Sequence, residues 1–388
     1  RCGAQLYRRV RNALDRSLAL LLASLALLVF AQAFPFLTLE AAGLSEQDHV
    51  IGSGLSLVEF GMAELGAVVF LTSTIFPLVT ILGTLYLLVG QRTGVVLPAV
   101  RPVFRLVHAL GPWSLLGVFM LGTLIAVVKL RDLATVVPGP GLFAFAALVL
   151  AYAAARSNLV LDDVWAPLRI RGLRPTDVMP GEPLTTCHVC HMLHRRTDAH
   201  GEPQRRCVRC RAPLHHRIVD SVQRTWALLA AAAIMLVPAN LLPVMTVSRL
   251  GRGEPSTILS GVVHLIEAGM WGLALIVFFA SIVVPLAKIV TLASLLRSIG
   301  RRSRWRPRDR TRLYRVTELI GAWSMVDVFL VGLLAGLVDL GVLASIEPGL
   351  GATFFGAAVV LTMLAAHSFD PRLIWDFAVT PDEAPARP

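Results

Sequence analysis

The sequence has 388 residues, of which 55% are hydrophobic and only 16% are charged, and its mean hydropathy is +0.69. Because globular domains carry about 25% charged residues, this composition excludes an ordinary soluble protein. The formal net charge is +11, so the positions of the basic residues need an explanation.

Eight apolar segments are long enough to cross a bilayer, which takes about 20 helical residues. In chain order they are Ser17–Leu37, Leu57–Val89, Val103–Val128, Gly141–Ala155, Thr225–Met245, Leu265–Leu296, Leu313–Val338 and Gly351–His367. The second and sixth segments are longer than one span requires. We therefore expect a short interfacial helix around Glu59 and another around Glu267, each followed by the span itself. Gly141–Ala155 is the shortest of the eight.

The chain repeats itself. At an offset of 208 positions the matching residues are Cys2 and Cys210, Pro35 and Pro243, Glu59 and Glu267, and Pro77 and Pro285. Further along, at an offset of 210, they are Trp113 and Trp323, Phe119 and Phe329, Pro138 and Pro348, and Trp165 and Trp375. A repeat of this length is a duplicated domain rather than a solenoid unit. The sequence therefore predicts an all-α polytopic membrane protein with two tandem four-helix transmembrane domains.

Basic residues are concentrated on one side of the predicted membrane. Five arginines precede residue 17, and nine lie between Arg297 and Arg315, whereas Thr38–Ser56 has none. Because cytoplasmic loops hold the excess of Lys and Arg, both termini and the segment joining the halves are predicted to be cytoplasmic. This asymmetry accounts for the net charge. An arginine-rich loop between two spans is typical of a segment facing lipid headgroups, so we do not assign nucleic-acid binding to it.

Four of the five cysteines form two CxxC pairs, Cys187/Cys190 and Cys207/Cys210, with 16 residues between the pairs. This spacing predicts a small zinc ribbon with four cysteine ligands, lying between the two transmembrane domains, in which the zinc has a structural role. Cytoplasmic thiols stay reduced, which disfavours disulfides. A redox pair, another metal such as iron, or a ligand among His188, His191, His194 and His200 are the alternatives.

Cys2 aligns with Cys210, the last predicted zinc ligand. The first half is therefore expected to have had a ribbon of its own, with three cysteines upstream of Arg1, and residues 1–16 are its remnant. The predicted domains are, in order, this remnant, a first transmembrane domain (17–160), a linker (161–186), the ribbon (187–216), a second transmembrane domain (217–370) and a cytoplasmic tail (371–388).

Two charges distinguish the halves inside the membrane. Lys288 lies deep in the sixth span, where the first half has Thr80, and Asp327 lies in the seventh span, where the first half has Gly117. Charges within spans are costly and mark functional sites by default. Since both charges are present in one half and both are absent from the other, we predict that they face one another. The alternative is that Lys288 snorkels and Asp327 lies near an interface.

Other polar residues are predicted to share this site. Asn240 ends the fifth span between Pro238 and Pro243, which free backbone carbonyls, and it corresponds to Gln32. Ser324 and Glu267 can reach the same region. Because Glu267 has a counterpart in Glu59, the alternative role for that pair is capping of the interfacial helices.

These motifs resemble the paraquat-inducible protein A family. The resemblance rests on Pro238-Ala-Asn-Leu-Leu-Pro243, on Trp323-Ser-Met-Val-Asp-Val-Phe329 and on the ribbon, and it extends over the whole chain. The first half departs from the pattern, with Phe30-Ala-Gln-Ala-Phe-Pro35 and a ribbon reduced to Cys2. The resemblance implies a tetraspanin-like fold in the bacterial inner membrane. It also implies work alongside periplasmic MCE proteins, which build lipid tunnels between the two membranes of Gram-negative bacteria.

The combined prediction is a non-enzymatic component of a phospholipid-transport system that loads or unloads lipid at an MCE-domain partner. The chain has no GxxxxGK[ST] nucleotide-binding motif. An ion- or proton-coupled transporter of small solutes, and a scaffold that only anchors a partner, are the alternatives. A membrane thiol oxidoreductase is disfavoured by the position of the cysteines.

Overall fold

The computed structural model describes residues 12–41, 44–130, 135–159, 164–165, 184–195, 204–215, 217–249, 252–303, 305–338 and 344–376. The predicted ribbon remnant around Cys2, most of the linker, His200 and the end of the tail lie outside these ranges.

The first half contains seven helices and three strands among its described residues. They are α1 (Ala13–Ala33), β1 (Leu37–Ala41), β2 (Leu44–Asp48), α2 (Gly52–Glu59), α3 (Ala63–Phe70), α4 (Phe76–Thr93), α5 (Val100–Leu110), α6 (Leu116–Leu130), β3 (Thr135–Pro138) and α7 (Pro140–Asn158).

The second half repeats that order after a short hairpin of β4 (Leu184–Thr186) and β5 (Leu193–Arg195). Its elements are α8 (Ser221–Leu241), β6 (Met245–Arg249), β7 (Arg252–Ser256), α9 (Ile258–Glu267), α10 (Trp271–Phe278), α11 (Val284–Gly300), α12 (Pro307–Gly321), α13 (Val326–Leu337), β8 (Ala344–Pro348) and α14 (Leu350–Ser368).

Eight helices in the described part of the chain are long and apolar enough to cross a membrane, four in each half. The prediction of eight spans is confirmed, including the shortest, which forms α7 with 19 residues. Helices α3 and α4 make one span, as do α5 and α6, α10 and α11, and α12 and α13. The two expected short helices are α2 and α9, which end at Glu59 and Glu267.

Glycine and proline shape the long spans in both halves. Gly61 and Gly269 have φ angles of 79° and 76°, a left-handed conformation that lets the chain turn from the short helix into the span. Within the spans, π-helical turns cover Leu71–Ile75 and Phe279–Val283, just before Pro77 and Pro285. Because proline has no N–H to donate, the preceding turn widens there.

Each half also carries a three-stranded antiparallel sheet, which the sequence analysis did not anticipate. The strand orders are β2-β1-β3 and β7-β6-β8, so the same topology occurs twice. In both sheets the hairpin strands follow the first span, and the last strand precedes the fourth span. We call this side of the molecule the sheet end and the opposite side, where β4 and β5 lie, the ribbon end.

The halves pack together through α13, which belongs to the second half but lies against α2, α3 and α6 of the first. The rings of Phe119 and Phe329, equivalent residues of the two halves, are 5.3 Å apart. Close approach depends on glycine, since a Cβ built on Gly332 would lie 2.9 Å from the Ser53 carbonyl oxygen. Helix α13 is therefore buried almost all round, as its composition, apolar apart from Asp327, requires.

The corresponding corner of the second half is left open. Val262, Leu265 and Ala274, from α9 and α10, form a small cluster separate from the main core. Trp271 and Leu275 on α10 are 67% and 59% exposed. In a membrane these side chains face lipid.

Candidate functional site

The predicted ribbon brings four sulfur atoms together at the ribbon end. The Sγ atoms of Cys187, Cys190, Cys207 and Cys210 all lie within 4.8 Å of one another, and all four residues are buried. Cys187 and Cys210 are 3.5 Å apart, and so are Cys190 and Cys207. A tetrahedron with metal–sulfur bonds of about 2.3 Å places its sulfurs about 3.8 Å apart. The cluster can therefore hold a metal ion, and an all-thiolate set suits zinc or iron.

Both CxxC turns have the same backbone geometry. The N–H groups of His191 and Arg211 donate to the carbonyls of Cys187 and Cys207, at 3.0 and 2.9 Å. Those two residues have φ angles of 55° and 59°. Each turn thus aims two thiols at one point, as a metal knuckle does.

Among the residues that the structure describes, no histidine joins the four cysteines as a further ligand. His194 Nε2 lies 3.2 Å from Cys207 Sγ, and burial lowers the pKa of His194, so its neutral ring can donate to that sulfur. His188 instead contacts the His215 carbonyl. Hydrogen bonds with Cys190 and Cys207 lower the pKa of the Cys187 thiol, which favours the thiolate that a metal requires.

The ribbon rests on the first half. Trp165 is 2% exposed and packs on Phe104 of α5, with ring centroids 4.6 Å apart. The guanidinium of Arg209, a residue of the ribbon, lies over the Trp165 ring, 5.9 Å from its centre. Arg101 Nε donates to the Arg209 carbonyl at 3.1 Å. A metal in the ribbon therefore stabilises a surface against which α5 is held.

Lys288 is buried, with 2% of its surface exposed, and is bonded at the ribbon end of the second half. Its Nζ donates to the Gly321 carbonyl at 3.1 Å and to Ser324 Oγ at 3.2 Å. Ser324 also donates to Gly321, at 2.8 Å. The structure thus brings together two of the residues predicted for the site, Lys288 and Ser324.

In the first half, the equivalent backbone carbonyl accepts its hydrogen bond from an arginine rather than from a lysine. Gly111 is the equivalent of Gly321, and its carbonyl accepts a hydrogen bond of 3.2 Å from Arg156 Nη1. Both carbonyls lie where a helix ends before a 3₁₀ turn, a position that favours a cation. One effect of Lys288 is therefore to cap α12, as Arg156 caps α5.

Asp327 lies in the first turn of α13, three residues after Ser324, and is 8% exposed. It lines a cavity of about 40 Å³ at the sheet end of the second half, with Ser256, Thr257 and Ser281 as other polar residues. The remaining walls are apolar, among them Val244 and Leu330. Direct pairing between Lys288 and Asp327 stays a prediction.

This cavity corresponds to a filled region of the first half. Val244 stands where the first half has Phe36, whose ring lies 5.8 Å from Phe119 and 5.7 Å from Phe145. The smaller side chain of Val244 leaves part of that volume empty. Ser281 and Ser256 were not singled out from the sequence, although Ser281 lies within the π-helical turn just before Pro285.

Asn240 and Glu267 make local contacts within their own helices. Asn240 Nδ2 donates to the Leu236 carbonyl of its own helix at 2.8 Å. Glu267 is exposed at the end of α9, 3.5 Å from His264 Nδ1. At both short helices the final turn is closed by backbone bonds, such as Met62 N–H to the Leu57 carbonyl. The contacts described for Asn240 and Glu267 do not connect them to Lys288.

The molecule is thus a multi-pass membrane protein built from two copies of a four-span unit, with a cluster of four cysteines between them. Residues 14–169 and 222–378, one stretch in each half, match the family model described as paraquat-inducible protein A. The chain belongs to this family, and the resemblance seen in the sequence is confirmed.

Individual relatives extend over nearly the whole chain. It is 34% identical to the lipophilic envelope-spanning tunnel protein A of Escherichia coli K12, over 97% of this chain and 85% of that one. It is 32% identical to the intermembrane transport protein PqiA of the same strain, and 30% to a probable intermembrane transport protein of Haemophilus influenzae. Each of these matches covers 97% of this chain and 89% of the relative. No solved structure matched.

Proposed function

We propose that this protein is a non-enzymatic inner-membrane component of an MCE-type system that moves phospholipid between two membranes. The names of its relatives, intermembrane transport protein and envelope-spanning tunnel protein, support transport across the envelope. In this proposal the protein loads lipid into, or unloads it from, a periplasmic MCE-domain partner.

The observation that carries the proposal is a series of neighbouring polar side chains inside the second half. Lys288 contacts Ser324, and one turn further Asp327 lines the cavity that opens at the sheet end. Buried polar groups in an otherwise apolar span mark substrate or proton pathways. These groups can bind a headgroup, or they can take up and release protons while lipid moves.

The proposed orientation puts both termini and the ribbon in the cytoplasm and the sheets in the periplasm. The arginine-rich segment between α11 and α12 lies at the ribbon end, as this orientation requires. The cavity next to Asp327 then faces the side on which a periplasmic partner would dock. The metal of the ribbon is proposed to be zinc with a structural role, because four thiolates leave no position open for catalysis.

A scaffold without transport activity is the second candidate, and one observation favours it. Capping of the Gly321 carbonyl gives Lys288 a structural role that requires no substrate. The test must therefore separate the cap from the polar site.

The equivalent residues of the first half suggest a variant that separates the capping role of Lys288 from a role in transport. A triple variant, Lys288→Thr with Thr362→Tyr and Ala366→Arg, installs the residue types of Thr80, Tyr152 and Arg156 at their equivalent positions. Lys288→Ala alone is expected to lose transport and stability, since breaking a buried charged interaction costs about 3–5 kcal/mol. The triple variant should recover the unfolding temperature through its arginine cap but should not transport labelled phospholipid.

Transport is measured between donor and acceptor vesicles bridged by the partner, with Asp327→Asn as a companion variant expected to be inactive. Normal transport by the triple variant would show that Lys288 is structural. Normal transport by Asp327→Asn as well would overturn the proposed site and leave the scaffold ahead.

A further inference from the structure

A feature not used so far is a cavity of about 230 Å³ at the ribbon end of the first half. It lies among α1, α4, α5 and α7, and Val164, next to the Trp165 that carries the ribbon, forms part of its wall. A cavity of this size is well above what a single water needs. It is in the half that lacks both intramembrane charges.

The polar residues that line this cavity are buried, and the basic residues that line it are exposed. Thr80, Thr84 and Tyr152 are buried in its interior, and Tyr152 donates to Thr80 Oγ1 at 3.0 Å. Arg156 and His108 are exposed residues of its lining. The described lining contains no carboxylate. The permanent charge of this described lining is therefore positive.

Arg156 is positioned but not fully engaged. Nη1 donates to the Gly111 carbonyl at 3.2 Å, and the guanidinium lies 5.8 Å from the centre of the Tyr152 ring. These contacts fix the plane of the guanidinium. Within the described chain, its other N–H groups have no hydrogen-bond acceptor, and guanidinium donors of this kind recognise phosphate oxygens in pairs.

The second half shows what closes such a cavity. There Lys288 replaces Thr80, Thr362 replaces Tyr152 and Ala366 replaces Arg156. The Lys288 side chain reaches across to Gly321, its Cε lying 3.6 Å from the position of a Cβ built on that glycine. A long side chain thus occupies the position that is open beside Thr80.

We propose that the first-half cavity is a binding site for a phosphate group, with Arg156 as the anchoring cation. The phosphate can belong to the headgroup of a membrane lipid or can be free in solution. Arg156 is in the last turn of a membrane span, a depth at which headgroup phosphates occur. The site is independent of the proposed transport activity, because it requires neither Lys288 nor Asp327.

The test measures binding to the full-length protein in a maltoside detergent, using short-chain phosphatidylglycerol, inorganic phosphate and short-chain diacylglycerol as probes. Phosphatidylglycerol is expected to bind, and diacylglycerol, which has no phosphate, is not. Arg156→Gln should weaken binding about tenfold or more, because it removes the charge while an amide can still reach the Gly111 carbonyl. Arg156→Lys keeps the charge but loses the paired donors, so it should bind more weakly than wild type and more tightly than Arg156→Gln.

A third variant controls for folding. Thr80→Lys with Tyr152→Thr and Arg156→Ala installs the arrangement that the second half already holds, so it should fold and should not bind. Competition by inorganic phosphate would assign the site to free phosphate, and binding of phosphatidylglycerol without such competition would assign it to a headgroup. Equal binding by wild type and Arg156→Gln, or retained binding by the triple variant, would overturn the proposal. A loss of lipid transport would not bear on it.

Discussion

The two halves of this protein share a fold but are hollow at opposite ends. The first half is filled at the sheet end, where Phe36 packs on Phe119 and Phe145, and open at the ribbon end beside Thr80. The second half has Val244 and a cavity at the sheet end, while Lys288 fills the ribbon end. Duplication therefore gave one scaffold with two places where a cavity can form, and each copy uses a different one.

The comparison also separates structural from functional demands. Both halves must satisfy the carbonyl at the end of α5 or α12, and they do so with Arg156 or Lys288. A cation near that position is thus a requirement of the fold. The identity of the cation, and the helix that supplies it, determine whether the space beside it is open or closed.

The prediction with the largest expected effect asks whether the ribbon stabilises only the first half. Cys207→Ser should abolish stoichiometric metal binding, which in small zinc domains contributes about 10–16 kcal/mol. The ribbon contacts α5 directly through Arg101 and indirectly through Trp165, which packs on Phe104. Hydrogen exchange should therefore rise in α5 and much less in α12. Metal analysis and exchange mass spectrometry on the purified protein check this. A matched control is His188→Ala, which should keep the metal.

A buried acid distinguishes the two sheet ends and should make stability depend on pH. Burial raises the pKa of Asp48 from 3.8 to about 7, and Ser256 takes its place in the second half. Asp48 Oδ1 accepts a hydrogen bond from the His49 N–H at 2.8 Å, and Asp48 Oδ2 has no donor among the described residues. The folded state then holds a proton that the unfolded state releases above about pH 4.

Stability is therefore expected to fall as pH rises from about 4 to about 7 and to level off above. Each pKa unit corresponds to about 1.4 kcal/mol, so the contribution of Asp48 amounts to about 4 kcal/mol at most. Asp48→Ser, the second-half residue, should remove this slope. Thermal unfolding of both proteins across this pH range provides the measurement, and an unchanged slope in the variant would contradict the assignment.

The smallest expected effect comes from exchanging the residues that fill the sheet ends. Val244→Phe should fill the cavity beside Asp327 and reduce the proposed lipid transport, with a change in stability of about 1–3 kcal/mol that depends on how the ring fits. Phe36→Val should cost about 1–3 kcal/mol by opening a cavity, without conferring a second transport site. If Val244→Phe transports normally, the sheet-end cavity is not on the lipid path.

Much of this architecture could be predicted from the sequence because it depends on local patterns. Hydropathy located the eight spans, and the spacing of Cys187 to Cys210 located the cluster of four cysteines. The sheets were missed because strands such as Leu37–Ala41 are short and adjoin apolar spans, so their period-two pattern is hidden.

The residues around Gly321 show the limit of sequence reasoning. The sequence revealed that Lys288 has no counterpart charge in the first half, but its acceptor is a backbone carbonyl on another helix. Carbonyls carry no sequence signal. The cavity beside Thr80 could not be predicted from the sequence either. A threonine in place of a lysine suggests a lost function, and nothing in the sequence shows that the shorter side chain leaves a cavity.

The burial of α13 against the first half has a consequence for biogenesis. Gly332 touches Ser53, and these two residues are separated by most of the chain. At about 5–20 residues per second, the ribosome needs tens of seconds after making α2 before α13 emerges to cover it. During that interval the surface of the newly synthesised first half that α13 will cover must be occupied by bilayer lipid or by an insertion factor. The mature interface then forms only when those occupants are displaced.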